Sequence, residues 1–192
     1  TMPESVLEVT KKFMSNPVLI SVKKDQLTLQ GIKQFYVITK DRNNKVDAIL
    51  DIMGGSHLPQ MIIFVNSQKD AAQLCDILAN HNMGSSQFHA AIMPEERVNV
   101  MKQFRAGNIR VLVATDVLSR GIDVHGVALV VNFDLPRENE TYLHRIGRSG
   151  RYGRTGIAIN LIEEDHLKQI EDLTLFYTTT ISELPVDYKK FF

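Results

Sequence analysis

Residues 144–154 combine arginines and glycines in a pattern suited to binding anions. Arg145, Arg148, Arg151 and Arg154 recur at every third position, with glycines between them. A guanidinium group keeps its charge, matches the geometry of phosphate and can stabilise charge developing on a transferring phosphoryl group, while glycine allows close approach of the backbone. We predict a phosphate-binding site here. The alternative is a solvated basic loop, but the helix predicted before this stretch and the strand predicted after it favour a fixed position.

A second group of polar residues follows an apolar run that reads as a buried strand. The group contains Thr115, Asp116, Arg120, Gly121 and Asp123. A hydroxyl, a guanidinium and a glycine amide can bind a phosphodiester backbone without reading bases, and a carboxylate can accept from a ribose hydroxyl or hold a neighbouring arginine. Polar residues at the end of a strand are also common as caps, so capping is the alternative.

Two weaker signals occupy equivalent places. Asn66 and Ser67 follow another apolar run, and Arg97 lies near the start of a predicted helix, where phosphates are attracted. Asn66 and Ser67 could instead cap a helix, and Arg97 could pair with a carboxylate. His89 and His144 have no partner at metal-ligand spacing, so we interpret both as structural and predict no metal site.

The order of apolar runs and helical patterns predicts a parallel α/β sheet. The runs 61–65, 110–114 and 128–133 are predominantly apolar without alternation, which indicates burial on both faces. Strands interleaved with helices build a parallel sheet covered by helices, with ligands at the carboxyl ends of the strands. Further strands are predicted at 32–38, 86–89 and 156–162, and helices at 4–14, 46–53, 67–80, 94–107, 138–146 and 164–176.

Composition limits the class of protein. The 192 residues suit one domain, and 22 basic residues balance 22 acidic ones, so affinity for nucleic acid must come from local charge arrangement. No apolar run approaches the roughly 20 residues that span a bilayer, and no secretory or transit signal is readable. Cys75 is the only cysteine, which excludes an intramolecular disulfide and favours a reducing compartment.

Two missing motifs bear on the mechanism. None of the 11 glycines is followed by lysine, so the phosphate loop G-x-x-x-x-G-K-[ST] is absent. No acidic D-E-x-D run is present to hold magnesium. We therefore expect that this chain does not hydrolyse ATP alone.

Together these residues resemble the C-terminal lobe of DEAD-box ATP-dependent RNA helicases. Residues 64–67, 115–123 and 144–151 look like the fourth, fifth and sixth helicase motifs, in order and at similar spacing. The resemblance implies a RecA-like parallel sheet sandwiched between helices. Residues 1–24 would be the linker between lobes with its helix, and 25–192 the helicase C-terminal domain. The flanks 6–14, 27–36 and 181–185 look most like the translation initiation factor 4A branch.

The resemblance also implies roles at the nucleotide. Arg148 and Arg151 would contact the γ-phosphate of ATP as arginine fingers, and Asp123 would contact the ribose or link nucleotide to arginine. Arg145 and Asp116 would support the site structurally. The cofactor would be ATP with Mg²⁺, held mainly by an N-terminal lobe that this chain lacks.

The roles at RNA imply binding that is independent of base sequence. The residues expected along the sugar-phosphate backbone of single-stranded or duplex RNA are Asn66, Ser67, Arg97, Thr115, Arg120 and Gly121. Ala90 and Pro94 stand where the family usually has glycine and glutamine, which puts the RNA contacts around 89–97 in doubt. Ser119 replaces a common alanine.

The predicted function is local unwinding of RNA by a two-lobe ATPase, with the fragment alone inactive. Partners would be RNA, the N-terminal lobe and translation-initiation scaffold proteins, with no membrane, in translation initiation or RNA processing in the cytoplasm or nucleus. Two alternatives stay open: a catalytically silent RecA-like module that docks translation or RNA-processing factors, and a DNA-directed relative.

Overall fold

A parallel sheet forms the centre of this computed structural model, which describes residues 9, 12–15, 18, 31–54, 60–118, 127–150 and 155–191. In these residues the sheet has seven strands in the order β3-β4-β2-β5-β6-β1-β7, and all of the pairings are parallel. The strands are β1 Ile32–Ile38, β2 Met61–Phe64, β3 Ser85–Phe88, β4 Val111–Ala114, β5 Leu129–Asn132, β6 Gly156–Ile162 and β7 Ile181–Glu183.

Five α-helices and three short 3₁₀ helices accompany the strands in the described ranges, and the last 3₁₀ helix follows the final strand. The α-helices are α1 Arg42–Gly54, α2 Gln68–Asn80, α3 Pro94–Arg105, α4 Asn139–Ile146 and α5 Leu167–Tyr177. The 3₁₀ helices are Asp116–Leu118, Glu164–His166 and Tyr188–Phe191. None of the described helices is long and apolar enough to cross a membrane.

The helices cover both faces of the sheet because the central strands are apolar on both faces. Met61 and Ile63 of β2 pack with α1 and α2, whereas Ile62 and Phe64 pack with α3. Successive side chains of a strand point to opposite faces, so α1 and α2 lie on one face and α3 on the other. Helices α4 and α5 pack on Ala158 and other residues of β6 that face the α3 side. This arrangement confirms the predicted parallel sheet between helices.

The structure differs from the sequence-based prediction at three elements. Helix α1 begins at Arg42 instead of 46. The earlier start is stabilised because the Asp41 carboxylate accepts a hydrogen bond of 2.9 Å from the backbone amide of Asn44, which satisfies one free N–H group of the first turn. A 3₁₀ turn precedes α5. Strand β7, which was not predicted, pairs with Gln34–Tyr36 of β1 at the sheet edge. The predicted linker and helix in 1–24 lie almost wholly outside the described residues, so that boundary stays a prediction.

Candidate functional site

The carboxyl ends of three neighbouring strands bring the predicted polar residues together. Phe64 at the end of β2 is in register with Ala114 of β4 and with Asn132 of β5. The residues that follow these strands therefore meet at one edge of the sheet, where parallel α/β folds bind ligands. They include Asn66, Asp116 and Asp134, which all accept hydrogen bonds from one arginine.

Arg145, on α4, is the centre of this edge. Its Nε and Nη2 donate to the two carboxylate oxygens of Asp116 at 2.6 and 3.0 Å. Nη2 also donates to Oδ1 of Asn66 at 2.8 Å, and Nη1 donates to the carbonyl oxygen of Asp134 at 2.7 Å and to Oδ1 of Asn132 at 3.4 Å. These five hydrogen bonds match the five N–H donors of a guanidinium group. The Arg145 side chain thereby connects α4 with the ends of β2, β4 and β5.

The environment of Arg145 suits a permanent charge. Its side chain has no exposed surface, while the Asp116 side chain is 47% exposed. The guanidinium carbon lies 5.2 Å from the centre of the Phe64 ring, a cation–π contact. A buried charge is stable only when it is paired and its remaining donors are satisfied, and Arg145 meets both conditions. This geometry is that of a structural anchor.

Arg148 lies one helical turn beyond this anchor. Its side chain is partly exposed, and its Nε donates to the carbonyl oxygen of His144 at 3.2 Å. The backbone amide of Arg148 donates to the carbonyl oxygen of Arg145 at 3.1 Å. The anchored turn therefore fixes the position of the Arg148 backbone at this edge of the sheet. Arg151, the second predicted γ-phosphate contact, lies outside the described residues.

Gly156 allows the arginine stretch to rest against the sheet, and sequence reasoning did not single it out. A Cβ at Gly156 would come within 2.5 Å of the Gly150 nitrogen and 2.7 Å of the Ser149 hydroxyl. Ser149 is itself buried, and its hydroxyl donates to the carbonyl oxygen of Ile146 at 2.8 Å. Only glycine fits this contact. The signal available in the sequence was a glycine at the start of a mainly apolar strand.

Asn66 and Ser67 both use their side chains inside the fold. The side-chain nitrogen Nδ2 of Asn66 donates to the carbonyl oxygen of Leu135 at 2.9 Å, while its side-chain oxygen Oδ1 accepts from Arg145. The Ser67 hydroxyl caps α2 by accepting from the amide of Asp70 at 3.1 Å. The structure thus places both residues at the predicted edge and shows the capping role that was the alternative for Ser67.

Thr115, Arg97 and His89 lie toward the outer part of the same edge. The amide of Thr115 donates to the carbonyl oxygen of Phe88 at 3.1 Å, and Thr115 is partly exposed. Arg97 is partly exposed in the first turn of α3, and its Nε is buried without a hydrogen-bond partner among the described atoms. His89 is buried, with Nε2 at 3.1 Å from the Gln87 side-chain oxygen. The predicted residues Arg120, Gly121 and Asp123 lie outside the described residues.

The family model of the helicase conserved C-terminal domain matches residues 44–153, which contain this whole edge. The chain belongs to this family. It is similar to the ATP-dependent RNA helicase eIF4A of Candida glabrata and to eukaryotic initiation factor 4A of Drosophila melanogaster. Each is 48% identical over 187 residues, which is 97% of this chain and 47% and 46% of those proteins respectively. The chain thus spans about half the length of the curated relatives it matches.

The helicase lobe also matches solved structures of the DEAD-box group. S. cerevisiae Dbp5 bound to RNA and ADP BeF3 superposes with a TM-score of 0.89 at 30% identity, covering 99% of this chain and 51% of that one. The fold is therefore RecA-like, and the chain is a C-terminal lobe of the eIF4A-like DEAD-box type. This confirms the family resemblance predicted from the three motifs.

Within the helicase lobe, two of the three departures from the family pattern lie between β3 and the start of α3, and the third, Ser119, lies outside the described residues. Ala90 is exposed two residues after the end of β3, and Pro94 is the first residue of α3. Proline is well tolerated at this position because its missing N–H would have no helical partner. Helix α3 has no side-chain cap, since Met93 occupies that position. The departures change the polar groups at the helix start without interrupting the helix.

Proposed function

We propose that this lobe supplies half of a composite ATP site whose other half lies in an N-terminal lobe of the same protein. The observation that carries the proposal is the buried Arg145 anchor, because it fixes the next turn, with Arg148, at the ligand-binding edge of the sheet. Arg148 and Arg151 contact the γ-phosphate and stabilise the charge that develops during its transfer. Asp123 contacts the ribose or links the nucleotide to an arginine.

Magnesium belongs mainly to the N-terminal lobe in this proposal. The chain has no phosphate loop and no D-E-x-D run, so the sequence motifs that hold Mg²⁺ beside the phosphates have to come from elsewhere. The arginine stretch fits the anionic end of ATP instead. When ATP and Mg²⁺ are bound between the lobes, the nucleotide supplies the phosphoryl group, and the residues of this lobe orient it and neutralise its charge.

RNA binds along the same edge in this proposal, through its sugar-phosphate backbone. Thr115 and Arg97 are partly exposed there, and their hydroxyl and guanidinium groups suit phosphate oxygens. Arg120 and Gly121 extend the surface, with Asn66 and Ser67 supporting it from the end of β2. Contacts to the backbone carry no base sequence, so binding is independent of sequence, and contacts to 2′-hydroxyl groups favour RNA over DNA.

The complete protein acts as an ATP-dependent RNA helicase in this proposal, and the lobe alone does not turn over ATP. ATP and RNA draw the two lobes together, a short duplex is strained apart, and hydrolysis releases it. The names of the initiation factor relatives support a role in translation initiation. The proposal places this role in the cytoplasm, with initiation scaffold proteins as partners.

The test of this function compares RNA with DNA as stimulators of ATP hydrolysis by the full-length protein. Single strands of matched length and base order are added at saturating concentration, and phosphate release is measured. We expect strong stimulation by RNA and little by DNA. Equal stimulation by both would contradict the RNA assignment, and no stimulation by either would contradict the helicase assignment.

A further inference from the structure

Four buried polar side chains, two on α4 and two on the strands that it covers, are linked in a chain of three hydrogen bonds. Arg145 Nη1 donates to Asn132 Oδ1 at 3.4 Å, Asn132 Nδ2 donates to Asn160 Oδ1 at 2.8 Å, and Asn160 Nδ2 donates to the Tyr142 hydroxyl at 3.2 Å. Tyr142 and Arg145 lie three residues apart on one face of α4, so one turn of the helix closes the ring. We call Tyr142, Arg145, Asn132 and Asn160 the α4 circuit.

The α4 circuit lies wholly inside the protein. All four of its side chains are inaccessible to solvent. The Tyr142 hydroxyl donates onward to the Gln34 side-chain oxygen at 2.9 Å, and Asn160 Nδ2 also donates to the carbonyl oxygen of Phe35 at 2.8 Å. Burial raises the pKa of Tyr142, so the hydroxyl keeps its proton and remains a donor. Every link is therefore available throughout the physiological pH range.

Apolar packing alone does little to fix the position of α4 along the sheet. The helix has only eight residues, and its N-cap residue Glu138 makes no side-chain capping bond. Apolar contacts are non-directional, whereas a buried hydrogen bond is lost when the helix shifts by a fraction of a turn. Asn132 and Asn160 are in register on neighbouring strands, so they present fixed partners to the helix.

We propose that the α4 circuit sets the position of the arginine stretch, and that Tyr142 is a positioning residue for Arg148. The Tyr142 hydroxyl holds the first turn of α4 on β6 and β1, while Arg145 holds the second turn on β2, β4 and β5. Arg148 follows the second turn directly, so its place at the sheet edge depends on both attachments. The catalytic consequence of this proposal rests on the function proposed above for Arg148.

The test replaces Tyr142 by Phe in the full-length protein, which removes one hydroxyl and keeps the ring. We expect kcat for ATP hydrolysis with saturating poly(U) RNA to fall about tenfold, equivalent to about 1.4 kcal/mol of barrier, with KM for RNA changed less than twofold. We also expect amide exchange of residues 142–149, without ATP or RNA, to accelerate about tenfold while exchange in β2 and β4 is unchanged.

Tyr177→Phe is the matched control. Tyr177 is also a buried tyrosine beside α4, and its hydroxyl donates to the carbonyl oxygen of Asn139 at 2.7 Å, but it does not belong to the circuit. Burial, with a smaller contribution from Glu140, raises the pKa of Tyr177 to about 12, so this hydroxyl is protonated as well. We expect Y177F to keep kcat within about twofold of the wild type, because its hydroxyl bonds only the carbonyl of the first helical residue and does not tie α4 to a strand.

The two arms separate failure of the circuit from failure of the proposed function. Unchanged amide exchange over 142–149 in Y142F would overturn the positioning role. So would a fall in kcat no larger than that of Y177F, provided that Arg148→Ala shows that kcat depends on Arg148. If Arg148→Ala leaves kcat unchanged, the proposed function fails, and the exchange experiment alone then decides whether the circuit positions α4.

Discussion

Two arginines one turn apart, Arg145 near the end of α4 and Arg148 just after it, lie in opposite environments. Arg145 is fully buried and uses five hydrogen bonds to hold three strand ends and the helix together. Arg148 is partly exposed, at the edge where parallel α/β folds bind ligands. A guanidinium that spends its donors inside the fold positions its neighbours, whereas one that reaches the surface can contact a phosphate. Burial and bonding, and not residue type, therefore distinguish the buried anchor from the arginine that we propose contacts phosphate.

The strongest way to break this comparison is to remove the exposed arginine. Arg148→Ala in the full-length protein is expected to lower kcat for RNA-stimulated ATP hydrolysis by about 10³-fold or more, since arginine fingers contribute on the order of 10³ to 10⁵. Its free energy of unfolding should change by less than about 1 kcal/mol. Steady-state phosphate release and chemical denaturation measure the two quantities.

Arg105→Ala is the control for this substitution. Arg105 is an exposed arginine at the C-terminal end of α3, the end opposite the sheet edge with the site. Its removal should leave kcat within about twofold, because a surface charge far from the reaction has little influence on it. Equal losses in both variants, or no loss in Arg148→Ala, would refute the functional half of the comparison.

Removal of the buried arginine should act on stability. Arg145→Ala leaves Asn66, Asn132 and the Asp134 carbonyl without their donor, and we expect a loss of about 3 kcal/mol in the free energy of unfolding. This loss is at the low end for a broken buried ion pair because Asp116 is half exposed and can regain water. Urea denaturation monitored by circular dichroism measures the loss.

Arg42→Ala gives the matched surface case. Arg42 pairs with Asp70 at 2.6 Å and Asp134 at 3.3 Å, but its side chain is 46% exposed. An exposed pair is worth about 0–1 kcal/mol. If Arg42→Ala destabilises the protein as much as Arg145→Ala does, burial is not what distinguishes the anchor.

The support beneath the stretch can be tested at Gly156. Gly156→Ala would force the backbone of Ser149 and Gly150 away from β6, and overpacking of this kind costs about 1–3 kcal/mol. Gly84→Ala is the control, since nothing lies within 4 Å of a Cβ there. Thermal unfolding of both variants measures the difference. Equal stability of the two would show that the loop and β6 are not in close contact.

The smallest expected effect concerns the cap of α2. Ser67→Ala should cost about 1 kcal/mol of stability, because the amide of Asp70 loses its acceptor. Ser182→Ala, at an exposed position of β7, should cost nothing measurable. Stability is measured by urea denaturation and RNA binding by fluorescence anisotropy. A rise in Kd for RNA without loss of stability would instead assign Ser67 to RNA.

The sheet, its helices and the site edge could be predicted from the sequence because apolar runs, glycines and prolines mark them locally. The split between Arg145 and Arg148 could not. It depends on Asp116 and Asn66, which lie 29 and 79 residues before Arg145 and reach it only through strand register. Strand β7 was missed for a similar reason, since its three residues become a strand by pairing with β1.

ATP hydrolysis, measured with and without single-stranded RNA, shows whether this lobe is one half of a composite site. The measurement compares this chain alone with the full-length protein under identical conditions. We expect RNA-stimulated ATP hydrolysis by the full-length protein only. Turnover by the isolated chain would contradict the composite site, and an inert full-length protein would favour a silent docking module instead.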